Sequence, residues 1–360
     1  MAELLQALPS VIFPMEADEL TIDVNGEQPN ANGSHTIDLV LHDSSYAENN
    51  ELISSDFFAN EDNEIELDDL GGYINDYMEG DPMLLELYVN RVKVASSIVI
   101  PSRVPIEIGA EEYCQRYFLD MNNKIISNKT TYADAHERLS VYLPLGAEKS
   151  HPNIKISYSD GTKEYNKTVL LDELSLSSSL IYGKIVTFDV SPAMVSKYVP
   201  VGCQLKFYTV RLGKRSQSYV MYQDMTVAEP MSIVYINNFG QVDTYHFFGA
   251  TAKEFKPSYS ALRVKGKKQN YYVDAAPTWT VYNREWLEPG LFEDLAVSEQ
   301  LWRQSDMTQL VITECDMKDG GSQTESITVS LSFQESARQY KWRPRREVRT
   351  FDETFDATFF

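Results

Sequence analysis

Asp243 and His246 stand three residues apart in IVYINNFGQVDTYHFFG, residues 233–249. An acid and a histidine are the commonest pair in general acid–base catalysis. The same residues also read as a hairpin. Ile233, Tyr235 and Asn237 fall on one face of a strand, Asn238-Phe239-Gly240 makes the turn, and Val242, Thr244 and His246 alternate with Asp243, Tyr245 and Phe247 on the return. Period two puts Asp243 and His246 on opposite faces, so a regular strand does not pair them and a bulge would be needed. The hairpin is the reading we adopt.

Other catalytic signatures are incomplete. His136-Glu137 opens an HExxH pattern, but Ser140 stands at the closing position. Leu212-Gly213-Lys214-Arg215-Ser216 has a Gly-Lys pair without the earlier glycine of a phosphate loop, and it falls at a hairpin tip. The five histidines (35, 42, 136, 151 and 246) lack ligand spacing, and each reads as a surface or satisfied core residue. There is no GxSxG and no GxGxxG. Carboxylates are abundant, yet nothing singles out a pair for glycoside hydrolysis. We therefore expect no catalytic residues and no enzyme. The three cysteines, Cys114, Cys203 and Cys315, are too few and too scattered for a disulfide framework or a metal knuckle.

The elements that would position any site are strands. ELTIDV (19–24), HTIDLVL (35–41), IKISYS (154–159), GKIVTFDV (183–190), QLKFYTVRL (204–212) and SITVSLSF (326–333) alternate with period two. Asn25-Gly26, Asp160-Gly161 and Asp319-Gly320 supply the positive φ of tight turns. Long helical patterns are scarce. The expectation is an all-β protein of tandem β-sandwich domains with short crossing helices. Prolines in IVIPSRVPIEI (98–108) and VAEPM (227–231) place boundaries near 100 and 229. This gives an acidic domain over 1–100 with an apolar N-terminal arm, a second over 101–229, a third over 230–346 and an aromatic tail over 347–360. IELDDLGGYINDYM (65–78) matches VTFDVSPAMVSKYV (186–199) at an offset of 121, which points to a repeat of the first domain in the second. Asp68 and Asp189 are expected to cap a helical turn or to sit at the strand exit.

Charge is distributed unevenly. Residues 1–90 hold 21 Asp and Glu and no Lys or Arg, which equals the entire net charge of −21. Such a region does not bind phosphates directly. It could present a solvated face, dock on a basic surface, or hold calcium weakly through Asp62, Glu64 and Asp68, although the EF-hand spacing is missing. No apolar run approaches the roughly 20 residues of a membrane span, and the start lacks the basic region of a secretory signal.

Interface candidates are aromatic and basic. Trp286 and Phe292 lie in the loop-like excursion 283–302, which holds one short helix; burial under the domain is the plain reading and an interface anchor the alternative. Trp342, Arg345 and Arg346 belong to the basic block 338–349. That block reads as a partner for the acidic domain of a neighbouring copy rather than for nucleic acid. Phe351, Phe355, Phe359 and Phe360 belong to TFDETFDATFF. Each phenylalanine left in water forgoes about 1.5–3 kcal/mol of burial, so the tail is expected to dock on a neighbouring subunit or another protein.

The third region, with IVYINNFGQVDTYHFFG, PTWTVYN and LVITECDMKDGGSQTESITVSLSFQESARQYKW, resembles the C-terminal portion of uncharacterised proteins of Bacteroidales phages and prophages, several of them among tail or virion structural genes. The resemblance covers residues 230–345. It implies a non-enzymatic structural component of a phage tail or phage-like particle, made in a bacterial cytoplasm, located in the virion and partnered by itself and by other particle proteins. The alternative is a carbohydrate- or receptor-binding β-sandwich protein.

Overall fold

The computed structural model describes residues 2–43, 49–78, 80–103, 106, 108–120, 128–144, 151–174, 183–222, 230–255, 258–264, 267–274, 277–283, 289–318 and 328–336. Strands dominate, the helices are short, and the all-β expectation holds. Among the described residues no helix is long and apolar enough to cross a membrane. The chain divides into two compact units, one of residues 1–226, 232–246 and 287–304, the other of residues 227–231, 247–286 and 305–360.

In the first unit, one set of elements occurs twice in the same order. After β1 (Glu3–Leu4), which has no counterpart, the first set opens with β2 (Val11–Ile12), β3 (Leu20–Asp23), β4 (His35–His42), β5 (Asn49–Phe57) and β6 (Glu64–Leu67). It closes with α1 (Leu70–Asp76), β7 (Met83–Val89) and β8 (Val92–Val99). After α2 (Ala110–Arg116) the second set opens with β9 (Asn128–Thr131), β10 (Arg138–Leu143), β11 (Asn153–Ser159), β12 (Glu164–Leu170) and β13 (Lys184–Asp189). It closes with α3 (Pro192–Ser196), β14 (Gln204–Leu212) and β15 (Arg215–Met221). The first large sheet has the order β2-β8-β7-β4-β5, and the second has β9-β15-β14-β11-β12. Each begins with a parallel pair, β2 with β8 and β9 with β15, and continues antiparallel. Each has a smaller companion sheet, β1-β3-β6 in the first and β10-β13 in the second.

The two sets therefore share one strand order. Ile74 of α1 and Val195 of α3 occupy matching positions, and both are fully buried. Each anchors its crossing helix to a core of alternating strand residues. Ile22, Ile37, Leu39, Leu41 and Leu87 fill the first core, and Val141, Ile154, Ile156, Tyr208 and Val210 the second. In the first set Asp68 follows β6 directly, at the strand exit as expected, and the cap of the helix comes from elsewhere. Asp18 caps α1, its Oδ1 accepting the Gly71 N–H at 2.8 Å and its carbonyl the Leu70 N–H at 3.0 Å. Asp189 ends β13, as expected, and accepts the Ser191 N–H at 2.8 Å just before α3.

The N-terminal stretch docks as short strands within the first unit. β1 pairs with β3 and β2 with β8, and Val11, Ile12 and Phe13 are buried. Two acids of this region, Glu16 and Glu27, cap backbone groups. Glu27 accepts the Ala2 N–H, and Glu16 accepts the N–H groups of Phe13 and Ala110, each at 2.8 Å.

β16 (Met231–Ile236) and β17 (Val242–Phe247) form the expected hairpin. Its turn is tied by Asn237, whose Oδ1 accepts the N–H groups of Phe239 and Gln241 at 3.0 and 2.9 Å. Gly240 has φ +70° and lies against Gly80, leaving no room for a Cβ. Phe239 is fully buried with Phe13 and Tyr113, ring centroids 5.9 and 5.2 Å away. The hairpin therefore packs into the first unit. In the second unit, β18 (Thr251–Phe255), β19 (Ser258–Val264), β20 (Lys267–Asp274) and β21 (Pro277–Asn283) precede two longer strands. Between them the chain adds α4 (Pro289–Val297) and β22 (Leu301–Arg303) to the first unit, then β23 (Thr308–Lys318) and β24 (Thr328–Glu335) to the second. Within the second unit β21 lies between β18 and β24, with Val281, Leu331 and Phe333 fully buried.

Candidate functional site

Four segments of the first unit bring six polar side chains together. β9 contributes Lys129, and the stretch leading to β10 contributes Tyr132 and Glu137. β16 contributes Ser232, and β17 contributes Asp243 and His246. Strand alternation accounts for Lys129, since Asn128 and Thr130 turn outward while Lys129 and Thr131 turn in. Lys129 Nζ lies 2.9 Å from both Glu137 Oε2 and Asp243 Oδ1. His246 Nε2 lies 2.7 Å from Glu137 Oε1, and His246 Nδ1 lies 2.7 Å from Ser232 Oγ. Tyr132 OH completes the row at 2.8 Å from Ser232 Oγ.

Asp243 and His246 are thus joined, but not as a direct pair. They leave the strand on opposite faces as expected, and both faces of β17 are buried. Glu137 and Lys129 bridge from one to the other. Glu137, the acid of the incomplete HExxH pattern, is the hub: fully buried, with each carboxylate oxygen facing a different partner. His246 is a satisfied core histidine.

The electrostatics follow from burial and pairing. Burial alone would raise the Glu137 carboxyl, but Lys129 and His246 outweigh it and hold the group down at about 2. For Lys129, burial opposes the charge, and Asp243 with Glu137 reverses that and raises the ammonium above its ordinary value. Asp294 of α4 behaves oppositely. Burial first, then the nearby charge of Asp243, push its carboxyl up to about 8. Its Oδ1 accepts the Asn238 N–H at 2.8 Å, and its buried Oδ2 has no partner among the described residues. A protonated Asp294 avoids adding another negative charge beside Asp243.

Serine, histidine and glutamate in sequence have the connectivity of a nucleophile triad. Access is what is missing. Ser232 and His246 are each 4% exposed and Glu137 is 0% exposed. Tyr132 occupies the other side of Ser232 Oγ, and its ring meets the His246 ring edge-on at 5.3 Å. The carboxylate that would orient the histidine is shared with an ammonium. A substrate reaches Ser232 only if Tyr132 or the hairpin moves. As built, the arrangement binds β9 and β10 to the hairpin through desolvated charges.

The expected interface and metal residues fare differently. Phe292 is 1% exposed, in edge contact with Tyr245 at 5.7 Å, so it is a core residue and not an available anchor. α4 turns Phe292 and Leu295 inward, which a loop-like reading of 283–302 did not separate from an exposed excursion. Trp286, Trp342, Arg345, Arg346, Phe351, Phe355, Phe359 and Phe360 lie outside the described residues. Asp62 and Asp68 are exposed and Glu64 is half-buried, and Asn60 Oδ1 ties this loop by accepting the N–H groups of Asp62 and Glu64. Among the described residues no three His, Cys, Asp or Glu side chains are grouped to hold a metal ion.

No family model and no curated protein matches the chain. Among solved structures, the extracellular region of plexin A4 is similar over 94% of this chain and 40% of that one, at 11% identity and a TM-score of 0.19. A score that low carries no argument about fold or activity.

Proposed function

We propose that this chain is a non-enzymatic structural component that works by association, with copies of itself and with other proteins of a particle such as a phage tail. What supports the reading most is the sealing of the Ser232–His246–Glu137 row. The best-connected chemistry among the described residues serves to hold segments together, at exposures of 4% or less. The placement in a phage-like particle rests on the resemblance of residues 230–345 alone. Light scattering on the purified chain tests the association. Oligomers at tens of micromolar that fall to monomers when residues 350–360 are removed are the expected result. A monomer at every concentration would reject the reading.

A second reading, recognition of a sugar, is favoured by one feature. Tyr158 and Tyr165 stack at 5.6 Å and 20° on the β11–β12 hairpin, and Tyr165 is 39% exposed. An aromatic surface of that kind suits the apolar face of a pyranose. Binding of a defined glycan by a monomer, lost in Tyr165→Ala, would favour it.

A further inference from the structure

We propose that β12 is a docking edge, and that its occupant is residues 350–359 of a second copy, added as a strand. The inference rests on the association proposed above and names its contact.

β12 is the last strand of its sheet and runs antiparallel to β11 with Ser159 opposite Glu164 and Asn153 opposite Leu170. The Asp160 N–H donates to the Lys163 carbonyl, and the Leu171 N–H to the Pro152 carbonyl, at the two ends of the pairing. Antiparallel bonding alternates, so Tyr165, Lys167 and Val169 bond to β11. The N–H and C=O groups of Glu164, Asn166, Thr168 and Leu170 then point away from it. No described strand takes them up. A row of open donors and acceptors is a template for another chain.

The usual guards of such an edge are weak here. β12 has no proline, and the Lys167 ammonium turns to the Tyr198 carbonyl at 3.3 Å.

The occupant is argued from face pattern and charge. Tyr165, Lys167 and Val169 lie on the side of β12 that faces the second core, since Lys167 and Val169 stand opposite the buried Ile156 and Ile154. Along that face the order is aromatic, cation, aliphatic. Written as a strand, TFDETFDATF puts Phe351, Glu353, Phe355, Ala357 and Phe359 on one face and Thr350, Asp352, Thr354, Asp356 and Thr358 on the other. Phe351-x-Glu353-x-Phe355 therefore sets Glu353 beside Lys167 and the two rings beside Tyr165 and Val169, extending the core sideways. The Thr and Asp face turns to water. Backbone pairing with alternate side chains in contact is the ordinary form of strand addition.

Light scattering on the full chain tests this with the doubly substituted Asn166→Pro/Thr168→Pro. Proline there removes outward donors and leaves the bonds to β11 in place. The expected result is loss of the oligomer with an unchanged circular dichroism spectrum. Should the prolines unfold the domain, a free peptide of residues 350–360 supplies the second measurement: in excess it dissociates the unsubstituted oligomer, and its Phe351→Ser/Phe355→Ser version does not. An oligomer that survives the folded proline variant, or that ignores the peptide, overturns the added strand while the association stands. A monomeric full chain overturns both.

Discussion

Lys129→Met is expected to cost the first unit about 3–5 kcal/mol of unfolding free energy, read by chemical denaturation. The reason is what remains. Glu137 and Asp243 each lose an ammonium at 2.9 Å and stay buried at 0% and 6% exposure. A buried carboxylate without a counter-charge pays most of its desolvation unopposed. The triple substitution Lys129→Met/Glu137→Gln/Asp243→Asn removes all three charges and keeps a hydrogen-bonding side chain beside His246. It is expected to regain most of the loss, because a neutral set carries no desolvated ion. A loss below about 1 kcal/mol in the single variant would mean that water enters the network and screens it as at a surface.

Asp294→Asn is expected to stabilise the protein above neutrality, with a dependence on pH that identifies the cause. The carboxyl titrates at about 8 in the folded chain, against an ordinary 3.8. Between those values the folded state keeps a proton that the unfolded chain has released. The unfolded state then binds fewer protons, and stability falls as pH rises, by up to roughly 1.4 kcal/mol per unit. Above pH 8 the penalty is complete and the curve flattens. Asparagine carries no such penalty and still offers an oxygen to the Asn238 N–H. The variant should gain up to about 4 kcal/mol near pH 7.5 and show little gain near pH 4.5. Glu137 does not blur the comparison. Its carboxyl is held at about 2, so its contribution is fully present above its ordinary 4.5 and is lost only as pH falls toward 2. Equal stability of the two proteins across pH 4.5–8 would show that Asp294 is ionised in the fold.

How much could be read beforehand depends on how local each feature is. The strands at 35–42, 184–189 and 204–212 were legible because alternation is written residue by residue. The turns at Gly26 and Gly161 were legible because positive φ selects glycine, and they show +81° and +92°. The repeat was legible from one matched segment, and the common sheet order extends it to eight elements. α2 was not legible. Seven residues give too little periodicity, and what holds it is the burial of Tyr113 and Cys114 against distant Phe13 and Phe239. The Lys129–Glu137–Asp243–His246 network was illegible for the same reason. Its members are up to 117 residues apart, and a lysine in a polar strand looks solvated until its partners are known. Glu137 had been noticed only through a motif it does not complete. Phe292 was ambiguous because an aromatic residue serves a core and an interface equally well, and the inward face of α4 decided it.

On the proposed reading the Ser232–His246–Glu137 row is a sealed support and not a reactive centre. Exposure of the native protein to a fluorophosphonate, followed by intact mass, is the direct test, because such reagents phosphonylate an activated serine that they can reach, with loss of fluoride. An unmodified mass at neutral pH over hours is expected. A single adduct mapping to Ser232 and abolished in His246→Gln would contradict it.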